Sequence, residues 1–142
     1  MTVRDTIDAA IAAALAGVVP AEAIEFEPEG DPAAFPGLAV FVHGDGVIER
    51  EAILDRSEMN LTVEGYVREG GGTVGKAARN LLHAQAVAAL LADDTLGGTV
   101  ELIEPGDRRN TRLEFDQLGR LTFAQDFTIQ FTTLRANPAL PG

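Results

Sequence analysis

The chain has 142 residues, of which 46% are hydrophobic and 23% are charged, values that are ordinary for one globular domain with a hydrophobic core. It contains no cysteine, which excludes disulfide bonds, thiolate metal sites and a cysteine nucleophile. The formal net charge is −11. Such an acidic protein repels nucleic-acid phosphates, so stable binding to DNA or RNA is disfavoured, although acidity can equally serve solubility alone.

The amino-terminal sequence does not have the pattern of a targeting segment. Asp5 and Asp8 interrupt the apolar stretch that a signal peptide requires. No later stretch approaches the roughly 20 consecutive apolar residues of a membrane-spanning helix. We therefore expect a protein that is made in the cytoplasm and has no membrane partner.

The first predicted element is an amphipathic helix that begins after Thr2 and stops near Gly17. Thr2 is expected to cap it, with Asp5 in the position of the capping-box acid. Apolar side chains recur at three- and four-residue spacing, which places them on one helical face. These residues are Val3, Ile7, Ala10, Ile11, Ala14, Leu15 and Val18.

Strands are predicted in the segment that follows. Ala23–Glu27 alternates like a short strand, and Leu38–His43 is a compact apolar run typical of a buried strand. Residues 44–60 are polar and begin with a Gly-Asp-Gly turn signal, so we interpret them mainly as a loop, with Val47–Leu54 as a candidate edge strand. Residues 59–68 then alternate between apolar and polar, which predicts a strand with one buried face.

A second helix is predicted after the triple glycine at 70–72, capped by Thr73 and running to about Ala92. An apolar stripe along it is expected to pack on the sheet. The stripe consists of Val74, Ala77, Leu81, Ala84, Ala88 and Leu91.

Three further strands are predicted beyond this helix. Thr99–Ile103 and Arg112–Phe115 are expected to be strands separated by an exposed loop at 104–110. A turn at 118–120 then leads into the longest strand, in which apolar and polar side chains alternate up to Thr132. Leu121, Phe123, Phe127, Ile129 and Phe131 are expected to face the core.

This order of elements predicts a single α+β domain over residues 1–135, with an antiparallel or mixed β-sheet and two α-helices packed on one face. Residues 136–142 contain two prolines and are expected to form a flexible C-terminal tail.

Motifs for chemistry are weak throughout the chain. Gly70–Lys76 resembles a phosphate-binding loop, but Ala77 replaces the hydroxyl residue that holds magnesium. His43 and His83 are predicted on different elements, so a histidine-rich metal site lacks ligands. Ser57 has no nucleophile-elbow context. We therefore predict no enzyme, no cofactor, no metal and no catalytic residue; a site built from carboxylates alone stays open.

Taken as a whole, the chain resembles the tail terminator proteins of long-tailed bacteriophages and of related prophages or gene-transfer particles. The resemblance lies in the order and spacing of elements over nearly the whole chain. It rests on the first helix, the strands at 38–42 and 61–67, the Ala/Leu-rich helix end at 88–98, and the final strand at 124–131.

The resemblance implies a homo-hexameric ring in the virion, at the junction of tail and head. Such a ring caps the tail tube, stops its polymerisation and joins a head-side connector protein, while DNA passes through without specific binding. The partners it implies are other copies of the chain, the tail tube protein and the connector. Two alternatives stay open, namely another virion assembly part such as a neck or baseplate adaptor, and a small nucleotide-binding enzyme.

The polar segments 44–60 and 104–112 are predicted to contact neighbouring subunits. Arginines are concentrated there in an otherwise acidic chain, and the guanidinium group suits interfaces rich in carboxylates. The predicted interface residues are Arg50, Arg56, Arg108, Arg109 and Arg112. Ordinary solvated arginine is the alternative for each of them.

Overall fold

The structure of the protein is a computed structural model, and it describes residues 1–68, 72–110 and 120–142. Two helices and six strands form the framework of these ranges. In chain order they are α1 (Val3–Leu15), β1 (Ile24–Phe26), β2 (Gly37–Glu51), β3 (Leu54–Val67), α2 (Gly72–Leu91), β4 (Leu102–Arg109), β5 (Leu121–Leu134) and β6 (Asn137–Pro141), with a short 3-10 helix at Ala21–Ala23 before β1.

The strands form one mixed sheet in the order β1-β2-β3-β5-β4, and β6 also pairs with β5. β1 runs parallel to β2, and the other strand pairs are antiparallel. β4 pairs with β5 from Ala124 to Gln130, and β6 pairs with it at Thr133 and Leu134, so the two short strands share one edge. The predicted α+β class with a mixed sheet is confirmed.

Helix α1 forms as its sequence predicts. The Thr2 hydroxyl accepts a hydrogen bond from the Asp5 backbone N–H, and the Asp5 carboxylate accepts one from the Thr2 backbone N–H, which completes the capping box. Val3, Ile7 and Ile11, together with Leu15, are buried. Their spacing of three or four residues gives the helix one apolar face for the core.

Both helices cover the same face of the sheet. Phe123 on β5 contacts His83 of α2 in an edge-to-face ring pair with centroids 5.1 Å apart. Phe131, eight residues further along the same strand, lies under the guanidinium of Arg4 at the start of α1. Since alternate residues of a strand share a face, both helices pack on the side where these phenylalanines point. Within the described ranges, no helix covers the opposite face of the sheet.

The segment 44–60, interpreted mainly as a loop, is strand along most of its length. β2 and β3 form one long hairpin whose register runs from Gly37↔Tyr66 to Glu51↔Leu54. Register shifts after Val42 and after Val47 bend the outer part of β2. The polar composition suggested a loop because residues 43–51 of β2 are mostly exposed, so this strand lacks the apolar face by which strands are recognised.

The loop predicted at 104–110 is also mostly strand, since β4 extends from Leu102 to Arg109. A register shift between Pro105 and Arg108 accommodates the proline and glycine that suggested a loop. The strand predicted at Thr99–Ile103 therefore begins three residues later than expected. The strand predicted at 112–115 and most of the turn predicted at 118–120 lie outside the described residues.

The segment 136–142, expected as a flexible tail, contains the short strand β6 beside the end of β5. Its mobility stays a prediction. Thr73, predicted as the cap of α2, is instead the second residue of the helix, and the preceding residues 69–71 lie outside the described ranges. No helix among the described residues is long and apolar enough to cross a membrane.

Candidate functional site: surfaces for assembly

The far part of the β2–β3 hairpin, residues 44–60, is called the hairpin end below. β3 pairs with β5 along its whole length, from Leu54↔Leu134 to Val67↔Leu121, so this end is part of a sheet of at least three strands and not a free ribbon. Apolar side chains nevertheless lie exposed on it. Val47 and Ile48 are exposed on β2, and Ile53 at the turn is 70% exposed.

Arg56 lies at the centre of an ion-pair cluster on the hairpin end. Its guanidinium donates to Glu49 at 2.6 Å, to Glu51 at 3.1 Å and to Glu101 at 2.8 Å. One positive charge thus faces three carboxylates, which leaves two negative charges without a partner in this cluster. Arg56 was predicted as an interface residue, and the structure places it in contacts within its own subunit.

Arg50, another predicted interface residue, has different surroundings. It is exposed on β2 opposite Asp55, and it makes no hydrogen bond or ion pair with any residue in the described part of the chain. Asp55 is instead bound by Arg135, whose Nε donates to Asp55 Oδ1 at 3.0 Å. Arg50 therefore has its donors available for a partner.

Arg4 joins α1 to the base of the hairpin end. Its Nε and Nη2 donate to the two carboxylate oxygens of Asp45 at 2.7 and 2.6 Å, and its guanidinium carbon lies 5.3 Å from the centre of the Phe131 ring. Hydrogen bonding from Arg4 lowers the pKa of Asp45 below its ordinary value, against the opposing effect of partial burial.

The Arg4–Asp45 pair predicts how stability depends on pH. Because the pKa of Asp45 is lowered in the folded state, its contribution is present above the unfolded-state pKa of about 3.9 and is lost as the pH falls through the folded-state value. We expect Arg4→Ala to be less stable than the parent at neutral pH by up to about 1 kcal/mol, and the difference to shrink on acidification. Urea unfolding at several pH values measures this.

Asp45→Asn is the matched control for that prediction, because it removes the carboxylate and leaves Arg4 over Phe131. Its stability deficit should also shrink at low pH, where the parent carboxyl is protonated. A deficit that is equally large at neutral and acidic pH in both variants would show that the ion pair is not its cause.

Two more of the predicted interface arginines, Arg108 and Arg109, lie on β4. Arg108 reaches across to α2, where its Nη2 donates to Asn80 Oδ1 at 2.8 Å and its Nη1 lies 3.3 Å from His83 Nδ1. Because Arg108 can only donate, His83 Nδ1 accepts, and its Nε2–H donates to Gln125 Oε1 at 2.8 Å. His83 is thus a structural histidine at the join of helix and sheet. Arg112 lies outside the described residues.

Arg109 binds Asp126 on the helix-free face of the sheet, with distances of 2.5 and 3.0 Å from its two terminal nitrogens. This pairing lowers the pKa of Asp126 below its ordinary value. Thr62 donates to Asp126 Oδ1 at 2.7 Å and lies 2.6 Å from His43 Nε2. Since the Thr62 hydroxyl proton goes to the carboxylate, the hydroxyl accepts from His43 Nε2–H, and His43 cannot act as its base. The network orders the sheet surface and does not activate a nucleophile.

The helix-free face of the sheet is polar and acidic. The cross-strand pairs that share it with Thr62 and Asp126 include Glu58 opposite Gln130 and Asn60 opposite Thr128. The alternation predicted along β5 agrees with this register, because its polar residues Thr122, Asp126, Thr128, Gln130 and Thr132 all lie on the face opposite Phe123 and Phe131. Within the described ranges, no group of three or more His, Asp or Glu side chains is placed to hold a metal ion.

Helix α2 presents an apolar surface to solvent that the sequence interpretation assigned to the core. Val74 is 67% exposed and Leu81 is 59% exposed, and Ala77, Ala84 and Ala88 are exposed beside them. These five residues are called the outer face of α2 below. The core is instead contacted mainly by a neighbouring stripe in which Leu82, Ala86 and Leu90 are buried.

Of the six residues in the predicted stripe on α2, Leu91 packs against the core and the other five are exposed, so the stripe was wrong for most of its length. The reason lies in the composition of the helix. Alanine and leucine occupy both sides of this helix, so the spacing of apolar residues is helical for either stripe. The exposed apolar residues could have been recognised from the sequence, because α2 has two apolar stripes and a single sheet can cover only one of them.

Comparison with known proteins adds one structural likeness. No known protein family matches the chain, and no curated protein matches it. Among solved structures, the chain is similar to a chain described as "Virion of native gene transfer agent (GTA) particle", with 15% sequence identity and a TM-score of 0.45 over 91% of this chain and 90% of that chain.

Proposed function

We propose that this chain is a structural subunit of a phage-like particle, and specifically a tail terminator that forms a closed ring, a hexamer, on the end of the tail tube. In this role it stops tail polymerisation and presents a surface to a head-side connector protein, at the junction of tail and head. The family resemblance of the sequence is one support. No catalysis, metal or cofactor belongs to the proposal.

The proposal of a ring rests on one observation about the fold. The subunit exposes apolar side chains on two unlike surfaces, the hairpin end and the outer face of α2. Exposed apolar clusters mark contact sites, and a contact between two unlike patches is heterologous, which generates a closed ring when the rotation between subunits closes. A symmetric dimer would bring the same patch of both copies together and would leave the second surface uncovered.

The arginines fit the ring in different ways. Arg50 is free to reach a carboxylate of a neighbouring subunit, and an acidic protein offers many. Arg108 lies beside the outer face of α2 through its hydrogen bond to Asn80. Arg56 and Arg109 are ion-paired with carboxylates of their own subunit. In an interface they would therefore affect only the local net charge.

The charge of the protein suits a ring through which DNA passes. Six copies carry 6 × (−11) = −66 formal charges, from the net charge of −11 per chain. The helix-free face of the sheet contributes to this negative charge, and such a face repels phosphates at long range. DNA would then move past the ring without stable binding.

Particle imaging and light scattering test the proposed ring. We expect closed rings of about six copies at high protein concentration, and we expect them bound to the ends of purified tail tubes. A protein that stays monomeric and has no affinity for tube ends would refute the proposal.

A further inference from the structure

We infer that the hairpin end of one subunit packs against the outer face of α2 in the next subunit of the ring. This inference rests on the proposed function, because it names the two surfaces that meet when copies of the chain assemble. The occupant of the outer face of α2 is therefore a second copy of the chain, placed head to tail.

The first argument is the distribution of exposed apolar side chains. Among the described residues, every large apolar side chain that is exposed, apart from Met1, lies either on α2 or at one end of the sheet. On α2 these are Val74 and Leu81, and at the sheet end they are Val47, Ile48, Ile53 and Leu140. Contact between the two groups would be favourable, since it would remove the apolar surface of both from water.

The second argument is charge. Helix α2 contains no Asp or Glu, and Lys76 is exposed on the same flank as Asn80, one turn away. Arg108 is bound to Asn80 and adds a second positive charge beside the outer face. The hairpin end has the opposite sign, because its two arginines, Arg50 and Arg56, are outnumbered by five carboxylates, Asp45, Glu49, Glu51, Asp55 and Glu58. Complementary charges of this kind steer the two surfaces together and fix their orientation.

The third argument is distance within one subunit. Arg108, which binds Asn80 of α2, pairs with Gln125 on β5, whereas Leu54 at the hairpin turn pairs with Leu134. Nine residues of strand separate these positions, which corresponds to about 30 Å at 3.4 Å per residue. The hairpin end cannot fold back over this distance onto Leu81 of its own subunit, so the contact has to form between copies.

Disulfide trapping tests the inference. Because the chain contains no native cysteine, only the introduced cysteines can form disulfides. Ile53→Cys and Leu81→Cys are made as separate single variants, since both side chains are exposed and neither change should disturb the fold. Mixed under mild oxidation at high concentration, the two variants are expected to form a disulfide-linked heterodimer, because a disulfide requires the two Cβ atoms to approach within about 4 Å. Adding Lys76→Glu to the Leu81→Cys chain should lower the yield several-fold.

Controls separate this pairing from other modes of assembly. Glu22→Cys, exposed on the short 3-10 helix, should not link to either variant. Strong linkage of Leu81→Cys to itself, or of Ile53→Cys to itself, would show a symmetric contact and overturn the inference. No linkage in the mixture while the unmodified protein forms rings would overturn this pairing and leave the proposed function standing, whereas no linkage and no ring under any condition would overturn both.

Discussion

Replacement of Gly65 by alanine is expected to destabilise the domain by about 3 kcal/mol, because there is no space for a methyl group at this position of β3. An alanine Cβ would lie 2.0 Å from a ring carbon of Phe123 on the adjacent strand. Phe123 is fully buried, and its ring also packs against His83 of α2. The ring therefore cannot move aside without disturbing the join between helix and sheet. Urea unfolding monitored by circular dichroism measures the effect.

Gly46→Ala is the matched control, since Gly46 is also in a strand of the same sheet and an added Cβ would meet no atom within 4 Å. We expect its stability to stay within about 1 kcal/mol of the parent. In the Gly65→Ala background, Phe123→Leu should cost less than it does alone, because the smaller side chain gives the methyl group room. Equal effects of Gly65→Ala and Gly46→Ala would contradict the packing of Phe123 on Gly65.

Two leucines on α2 are expected to differ sharply when each is replaced by alanine. Leu90 is 0% exposed, whereas Leu81 is 59% exposed. Leu90→Ala should cost about 2 to 5 kcal/mol through lost burial and the cavity left behind. Leu81→Ala should change the stability of the isolated subunit by less than about 0.5 kcal/mol. Both changes remove the same atoms from the same helix. A difference in the free energy of unfolding, measured by chemical denaturation, therefore reports the difference in burial between the two positions.

The outcome also decides which stripe of α2 faces the core. If Leu81→Ala is as destabilising as Leu90→Ala in a monomeric sample, Leu81 is buried within its own subunit and cannot be part of a surface for assembly. If Leu81→Ala leaves stability intact and reduces self-association, the exposed position of this side chain has a role between copies.

The sequence predicts the elements whose signals are local. The capping box of Thr2 and Asp5 lies within four residues, and the alternation along β5 is long enough to fix which side chains face the core. It fails for α2, because alanine and leucine on two sides of a helix make two stripes equally acceptable. For the outer part of β2 it offers only the candidate edge strand at Val47–Leu54, of which residues 47–51 belong to β2, because a strand that is exposed on both faces has no apolar periodicity to detect.

The predicted interface arginines show a different limit. The partners of Arg56 include Glu101, which is 45 residues away in sequence, and Arg109 is bound by Asp126 from another strand. Neither contact is visible until the register of the sheet is known. Arg50 has a sequence context much like that of Arg56, and the structure separates them by placing only Arg56 among three carboxylates.

The full-length pairing of β3 with β5 has a consequence for the kinetics of association. A free two-stranded ribbon would be ordered only on binding, and the lost backbone entropy would weaken the contact. Here the pairing of β3 with β5 already orders the β3 strand of the hairpin end before the proposed contact forms. In the proposed ring the subunit would therefore approach its partner as a rigid body, and the backbone amides of residues 54–60 should resist hydrogen exchange as strongly in the free subunit as in the ring.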